Sequence, residues 1–233
     1  WVDFTSTMDV DYATSGANQN SLVGGQTDVI PMVQANVNKD IFKVFTWAQA
    51  MKIPFVDGQK MQTIGRSLDS ILDRGIRLNY NKSIDQLVYG GFTNVGIQGL
   101  TNNDSITRKV ADVGASGQSD WKSKTVDEIL WDVNKAIIEA WAASEYDDSA
   151  MANHILLPPT KYAYIASTRI GTSGDRSILD YLLENNIAKN QGKDLKIYPS
   201  RWCAGVGTAN KDRMVVYVND DNFVYFDLPV PLT

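Results

Sequence analysis

Apolar residues recur every three or four positions between Gly58 and Tyr89, and this spacing constrains the fold more than any other feature of the 233-residue chain. The pattern predicts one long helix. At 1.5 Å per residue the helix would be about 48 Å long, whereas a compact globule of this size is about 45 Å across. The sequence therefore predicts a flat or elongated molecule. Glycines and asparagines inside the run are poor helix formers, so two shorter helices are the alternative. The pattern consists of Met61, Ile64, Leu68, Ile71, Leu72, Ile76, Ile84, Leu87 and Val88.

The first 50 residues predict an extended β arm. Residues 1–28 are rich in Ser, Thr, Asn, Gln, Asp and Gly, so they cannot form a hydrophobic core by themselves. Residues 29–33 and 41–47 follow, and their β-branched and aromatic side chains are typical of strands. The alternative is a pair of core strands that follow a disordered lead-in.

The clearest predicted element is a helix that begins after Thr125. Residues 90–120 before it contain six glycines among polar residues, which indicates turns and a transition between subdomains. The sequence from Thr125 to Glu128 fits a capping box, in which the Thr hydroxyl accepts from the Glu amide and the Glu carboxylate accepts from the Thr amide. The helix continues to about Ala143 with one apolar stripe. The stripe consists of Val126, Leu130, Val133, Ile137 and Trp141.

The last third of the chain predicts alternating strands and helices. His154 to Leu157 reads as a short buried strand that ends at Pro158 and Pro159. Helices are expected over Thr160 to Ser167 and over Asp175 to Asn190. Three strands then follow, and the last two are joined by a tight turn at residues 219–222. These strands are Leu195 to Tyr198, Arg213 to Val218 and Phe223 to Leu228.

Composition excludes several classes of protein. With 43% hydrophobic and 21% charged residues, the chain is an ordinary globular protein and neither a fibre nor a disordered chain. Cys203 is the only cysteine and His154 the only histidine, so one chain cannot form a disulfide or a Cys/His zinc site. A net charge of -5 has the wrong sign for a broad phosphate-binding face. We expect a cytoplasmic origin and no membrane partner, because the sequence has neither a signal pattern nor a long apolar run.

The residue types that carry chemistry lack the partners that catalysis needs. His154 is the only imidazole, and in an apolar strand it is better explained as a hydrogen-bonded core residue than as a general base. Cys203 is likewise interpreted as a small core residue. The Gly205-x-Gly207 pair lacks the rest of a dinucleotide motif. The acidic pairs at 147–148 and 220–221 lack calcium-loop spacing and are interpreted as turn residues. We expect no catalytic residue, cofactor or metal site.

The polar arm, the predicted flat shape and the glycine-rich connections together suggest a chain that completes its burial against neighbours. Six tryptophans spread along the sequence would each bury a large area in a core or an interface.

Several segments occur along the chain in a specific order. They are residues 28–31, 89–90 and 99–102, Trp121 followed by Thr125 to Asn134, Ile155 to Pro158 with Tyr162, residues 178–186, Asp212 to Tyr217, and Leu228-Pro229. Each segment is weak by itself, but their order and spacing are fairly specific. Together they resemble the Hong Kong 97 (HK-97-like) type of major capsid protein fold, and specifically a family of tailed-phage capsid proteins.

The resemblance implies an α+β fold with an extended β-hairpin loop, a peripheral domain with a long spine helix, and an axial domain of sheet flanked by helices. Residues 1–50 would form the extended loop and arm, 51–121 the peripheral domain and 122–228 the axial domain. Residues 229–233 would begin a return to the peripheral domain, with further strand beyond them.

The resemblance also implies copies of the chain as partners, in hexamers and pentamers of an icosahedral phage head that encloses double-stranded DNA. The extended loop would lie over an adjacent subunit. Portal, scaffold and decoration proteins would be further partners, and the acidic charge suits weak, non-specific contact with packaged DNA. The expected contact residues between subunits are Val29, Ile30, Ile41, Phe42, Phe45 and Trp47.

Two other hypotheses remain open from the sequence. An encapsulin, a bacterial compartment shell of the same fold, would hold a cargo peptide rather than DNA. A soluble α/β enzyme would act through carboxylates such as Asp127 and Glu128, although both acids also suit a helix start.

Overall fold

The computed structural model describes residues 4–15, 32–52, 68–171 and 176–232. The chain divides into two compact units, one of Trp1–Ile76 with Asp227–Thr233 and the other of Arg77–Phe226. The predicted boundaries at residues 50 and 121 differ from this division, and they stay predictions, as does the predicted elongated shape. No helix within the described residues is both long enough and apolar enough to cross a membrane.

The first unit contains an antiparallel hairpin of β1 (Phe4–Ser15) and β2 (Met32–Lys43). The strands pair without interruption from Phe4 opposite Lys43 to Ser15 opposite Met32. This pairing agrees with a β arm, but β2 is one continuous strand where two were predicted. The predicted strand over residues 41–47 is wrong beyond Lys43, because the chain leaves the ladder there. Residues 29–31 lie outside the described part of the chain.

Helix α1 (Leu68–Asp85) confirms the described part of the predicted long helix. It continues directly into a π-helical turn over Gln86–Gly90, so the alternative of two shorter helices finds no break between residues 68 and 90. At 1.5 Å per residue α1 is about 27 Å long, and residues 58–67 lie outside the described part of the chain. The π turn ends where Gly91 adopts a φ of +66°, a backbone conformation that side chains disfavour.

Helix α2 (Val126–Ala142) begins with the predicted capping box. The Thr125 hydroxyl accepts from the Glu128 amide at 3.3 Å, and a Glu128 carboxylate oxygen accepts from the Thr125 amide at 2.8 Å. The buried stripe differs from the prediction. Ile129 is completely buried and was not assigned to the stripe, whereas Val126, Leu130 and Trp141 only pack partly buried against the core.

The second unit is a mixed α+β structure built on a three-stranded sheet in the order β4-β3-β5. The central strand β3 (His154–Leu157) is buried along its whole length, as predicted. It pairs parallel with β4 (Lys196–Pro199) and antiparallel with β5 (Val215–Tyr217). A parallel pair requires a crossover, and the described part of the connection from β3 to β4 contains three helices. These helices are α3 (Pro159–Ser167), α4 (Ile178–Glu184) and α5 (Ile187–Asn190).

The crossover corrects one predicted helix. Residues 175–190 were expected to form a single helix, but the chain breaks after Glu184 and restarts at Ile187. Asn186 causes the restart. Its side chain is fully buried, donates to the carbonyl of Leu182 at 2.9 Å and accepts from the amide of Lys189 at 2.8 Å. Asparagine competes for backbone groups in this way, which favours a cap over a helix interior.

The predicted strand from Phe223 to Leu228 is wrong, because these residues have no regular secondary structure. Asp220 accepts from the Asn222 amide at 2.9 Å, which agrees with the predicted turn before the segment. β propensity alone does not make a strand, since a strand needs a ladder partner and a face to bury.

The main core of the second unit lies between α2, the sheet and the crossover helices. Its fully buried side chains include Ile129, Ile137, Ile155, Ile165 and Leu182. An ion pair is buried beside this core: the Lys124 ammonium lies 2.6 Å from the Asp132 carboxylate, and the two side chains are 1% and 5% exposed. The Trp121 indole also donates to Asp132, at 2.9 Å.

Candidate functional site

Several strongly exposed apolar side chains of the first unit belong to the hairpin. Phe4, Met8, Val37 and Ile41 are 60–73% exposed, which is unusual for four large apolar residues on one two-stranded ribbon. A hairpin of two strands is at best marginally stable by itself. The arrangement therefore favours burial against another surface.

The structure tests the exposure of the predicted contact residues, although not their contacts. Ile41, Phe42 and Phe45 are exposed, and the Lys43 ammonium lies 5.4 Å from the centre of the Phe45 ring. Trp47 is half-buried. Val29 and Ile30 lie outside the described residues, so the whole set remains a prediction.

A second set of exposed apolar side chains lies on the second unit, where residues 109–115 run along α2. Polar contacts with α2 hold this segment. Lys109 pairs with Glu139 at 2.9 Å, Asp112 pairs with Lys135 at 2.6 Å, and the Ala115 amide donates to Glu128 at 2.7 Å. The segment therefore keeps a fixed path with apolar side chains turned to solvent. These side chains are Val110 at 77%, Val113 at 69% and, on α2 itself, Trp131 at 58% exposed.

An aromatic groove of about 730 Å³ lies in the second unit beside the sheet. His154 forms part of its wall. The centre of its ring lies 5.9 Å from that of Tyr198, on which it is stacked, and 5.6 Å from that of Tyr217, to which it is tilted. Burial and the neighbouring tyrosines Tyr89 and Tyr198 raise the pKa of Tyr217. The groove is lined by Asp85, Tyr89, His154, Leu156, Lys196, Tyr198, Pro199, Ser200, Arg201, Trp202, Tyr217 and Asn219.

His154 is held in this wall by amide side chains. Its Nδ1 lies 2.8 Å from the Asn153 side-chain oxygen, and its Nε2 lies 3.4 Å from the Asn219 side-chain nitrogen. Burial, and secondarily the charge of Lys196, lower the pKa of His154. Neither neighbour on the ring is a nucleophile or a carboxylate, so the geometry agrees with the predicted structural role and not with a catalytic triad.

One end of the groove is fixed by Asp85, the last residue of α1. Its carboxylate accepts from the Trp202 indole at 2.8 Å and from the Arg201 guanidinium at 3.1 Å. The guanidinium in turn lies over the Trp202 ring, 4.4 Å from its centre. Gly90 leaves room for this ring, since a Cβ there would lie 2.9 Å from it.

The other candidate chemical residues are occupied by structural contacts. Glu128 accepts from the amides of Ala115 and Thr125, and these bonds lower its pKa. Burial raises the pKa of Cys203 to about 11, which suits the predicted core residue rather than a nucleophile. Asp147 accepts from the amide and hydroxyl of Ser149, which lower its pKa, so the interpretation as a turn residue is confirmed.

Sequence reasoning missed strand β1 of the hairpin and the aromatic groove. Alternating apolar residues at Phe4, Met8 and Val10 were a signal for β1 that the polar composition obscured. No local signal marked the groove, because Tyr89, His154 and Trp202 come from separate parts of the chain and meet only in the folded unit.

Comparison with known proteins agrees with a structural role. Residues 18–233 match the family of major capsid proteins. Among solved structures, the chain is similar to the capsid of the Myoviridae phage XM1, with a TM-score of 0.64 and 16% sequence identity. The likeness covers 90% of this chain and 67% of that chain, and at this identity it shows the fold alone. No curated protein matches the sequence significantly. Because the family match spans most of the sequence, this chain belongs to the major capsid protein family and is a structural, non-enzymatic component of the virion capsid.

Proposed function

We propose that this chain is the shell subunit of a tailed bacteriophage and assembles into the hexamers and pentamers of an icosahedral head that encloses double-stranded DNA. The observation that carries this proposal is the hairpin β1–β2, whose large apolar side chains are exposed in a protein of a capsid family. In this proposal the hairpin is the extended loop of a Hong Kong 97 type subunit and lies over an adjacent copy.

The gain from such a contact can be estimated from exposure. Phe4, Met8, Val37 and Ile41 are about two-thirds exposed, and full burial of one such side chain contributes about 1.5–3 kcal/mol. Covering all four would contribute roughly 6 kcal/mol for each hairpin before the cost of ordering is subtracted. Many identical contacts of this size in a closed shell would stabilise it strongly.

The remaining parts of the subunit fit the same proposal. Helix α1 would belong to the spine helix of the peripheral domain. The sheet β4-β3-β5 with α2 and the crossover helices would form the axial domain. The exposed Val110, Val113 and Trp131 would then supply a further apolar contact between subunits.

Expression of the full-length gene tests the assembly proposal directly. We expect closed shells or ring-shaped capsomers by electron microscopy, and fast-sedimenting species by analytical ultracentrifugation. A protein that remains a compact monomer at high concentration would contradict the proposal, because its exposed hairpin would then need no partner.

The proposed contact with packaged DNA is weak and non-specific. The chain carries a net charge of -5, so strong binding to phosphates over a broad face is not expected. Isolated capsomers should not retain duplex DNA in a gel-shift measurement at moderate salt. Tight binding that persists there would contradict this part of the proposal. Portal, scaffold and decoration proteins remain proposed partners that this experiment does not address.

A further inference from the structure

The strand register divides the hairpin into two faces of different chemistry. Directly opposed residues share a face, and successive residues of a strand alternate between faces. Met8 lies opposite Lys39, Ser6 opposite Ile41, and Phe4 opposite Lys43. One face, here called the lysine face, therefore combines apolar and basic residues. Its members used below are Phe4, Met8, Val37, Lys39, Ile41 and Lys43.

The opposite face, here called the threonine face, is mainly polar. Thr5 lies opposite Phe42, and Thr7 and Asn38 occupy the neighbouring positions of the same set. Phe42 and, at the far end of the ladder, Met32 hold its large apolar register positions. Phe42 is 48% exposed, against 60–73% for Phe4, Met8, Val37 and Ile41 of the lysine face. Burial of the lysine face against a partner would therefore contribute more free energy of association than burial of the threonine face.

The two faces also differ in the charge of their residues. The lysine face carries Lys39 and Lys43, whereas the threonine face has the register positions of Asp9, Asp11 and Asp40. A second copy of the chain carries a net charge of -5. Its field attracts a basic face and repels an acidic one, and such complementarity sets orientation at an interface.

We propose that the lysine face is the surface by which the hairpin docks on a second copy of this chain, with the threonine face turned to solvent. The inference rests on the proposed function, in which the hairpin lies over a neighbour. The surface that receives it combines apolar side chains with carboxylates that pair with Lys39 and Lys43. Phe4, Met8, Val37 and Ile41 supply burial, and the two ammonium groups determine which face turns toward the neighbouring copy.

Neighbouring residues of β2 provide a matched test. Ile41 and Phe42 are both exposed and lie on opposite faces, so Ile41→Asp and Phe42→Asp place the same charge one position apart. Both variants are made in the full-length protein, and circular dichroism checks that each is folded. Assembly is then measured by sedimentation and electron microscopy over a concentration series.

We expect Ile41→Asp to raise the concentration needed for assembly at least tenfold and Phe42→Asp to change it less than threefold. Equal loss in both variants, or greater loss in Phe42→Asp, would overturn the assignment of the face while leaving the proposed function intact. Normal assembly of both variants would instead show that the hairpin does not bind a neighbouring copy. The proposal that the hairpin lies over an adjacent subunit would then be wrong.

The lysines have their own matched pair. Lys39→Gln and Asn38→Asp each lower the net charge by one, on the lysine face and the threonine face respectively. We expect Lys39→Gln to weaken assembly at low salt, with an effect that shrinks as salt rises, and Asn38→Asp to leave assembly unchanged. An equal response of the two variants would refute the claim that charge selects the face.

Discussion

Replacing Lys124 by Met should destabilise the second unit strongly, because it leaves a buried carboxylate without its cation. The Lys124 ammonium lies 2.6 Å from Asp132, and the two side chains are only 1% and 5% exposed. After Lys124→Met, the carboxylate retains the Trp121 indole as a side-chain donor at 2.9 Å. Removing one partner of a buried ion pair typically costs about 3–5 kcal/mol, and we expect a loss in that range.

A double variant shows how much of the destabilisation comes from the unpaired carboxylate rather than from the lost lysine side chain. In Lys124→Met with Asp132→Asn, no charge remains, and the amide oxygen can still accept from Trp121. One amide group then lacks a partner, which costs about 1–3 kcal/mol. The double variant should therefore be more stable than Lys124→Met alone by about 2 kcal/mol.

Equilibrium urea unfolding of the dissociated subunit, followed by tryptophan fluorescence, measures these differences. Two protein concentrations show whether assembly contributes. Lys135→Met is the control, since its pair with Asp112 has the same 2.6 Å distance but side chains 37% and 46% exposed. Exposed pairs contribute little to stability, so the control should unfold like the unmodified protein. The reasoning is refuted if Lys124→Met unfolds like this control, or if the double variant is no more stable than Lys124→Met.

Three smaller perturbations test other parts of the structure. Thr125→Ala removes the capping box of α2 and should cost about 1 kcal/mol in urea unfolding, whereas Thr125→Ser should retain most of it. Cys203, with a pKa of about 11 and no exposure, should resist iodoacetamide at pH 8 in the folded protein and react once guanidinium unfolds it. His154 has a folded pKa below its ordinary 6.5, so the unfolded state binds more protons between the two values. The contribution of His154 to the free energy of unfolding should therefore be fully present above pH 6.5 and decrease as the pH falls below that value. His154→Gln should flatten this pH dependence. A slope that persists in the variant would assign it to another group.

Local patterns predicted the elements whose structure depends on neighbours in sequence. The capping box at Thr125 was predictable because both of its hydrogen bonds lie within four residues. The strand from His154 to Leu157 was predictable because an apolar run ends at two prolines. The structural role predicted for His154 agrees with the amide side chains of Asn153 and Asn219 that lie beside its ring.

Other elements depended on contacts that no local pattern contains. The segment from Phe223 to Leu228 has strong β propensity, yet it is not a strand. Asn186 divides a predicted helix because its buried side chain bonds to the backbone on both sides of the break. The apolar stripe of α2 was misassigned around Ile129, since the direction of the core is set by the sheet and the crossover helices.

The sequence by itself determined the capped helix α2, the buried strand β3 and the absence of a cysteine or histidine cluster, since these follow from residue types and short spacings. The family followed from the resemblance of ordered segments and from the match of residues 18–233 to the major capsid protein family. Tertiary structure decided which aromatic residues meet in the groove at His154 and which side chains of the hairpin share a face. The physical reason is that register and burial are properties of paired segments. Shifting one strand by a single residue would move all of its side chains to the opposite face of the ribbon, so different residues would share a face although the sequence is unchanged.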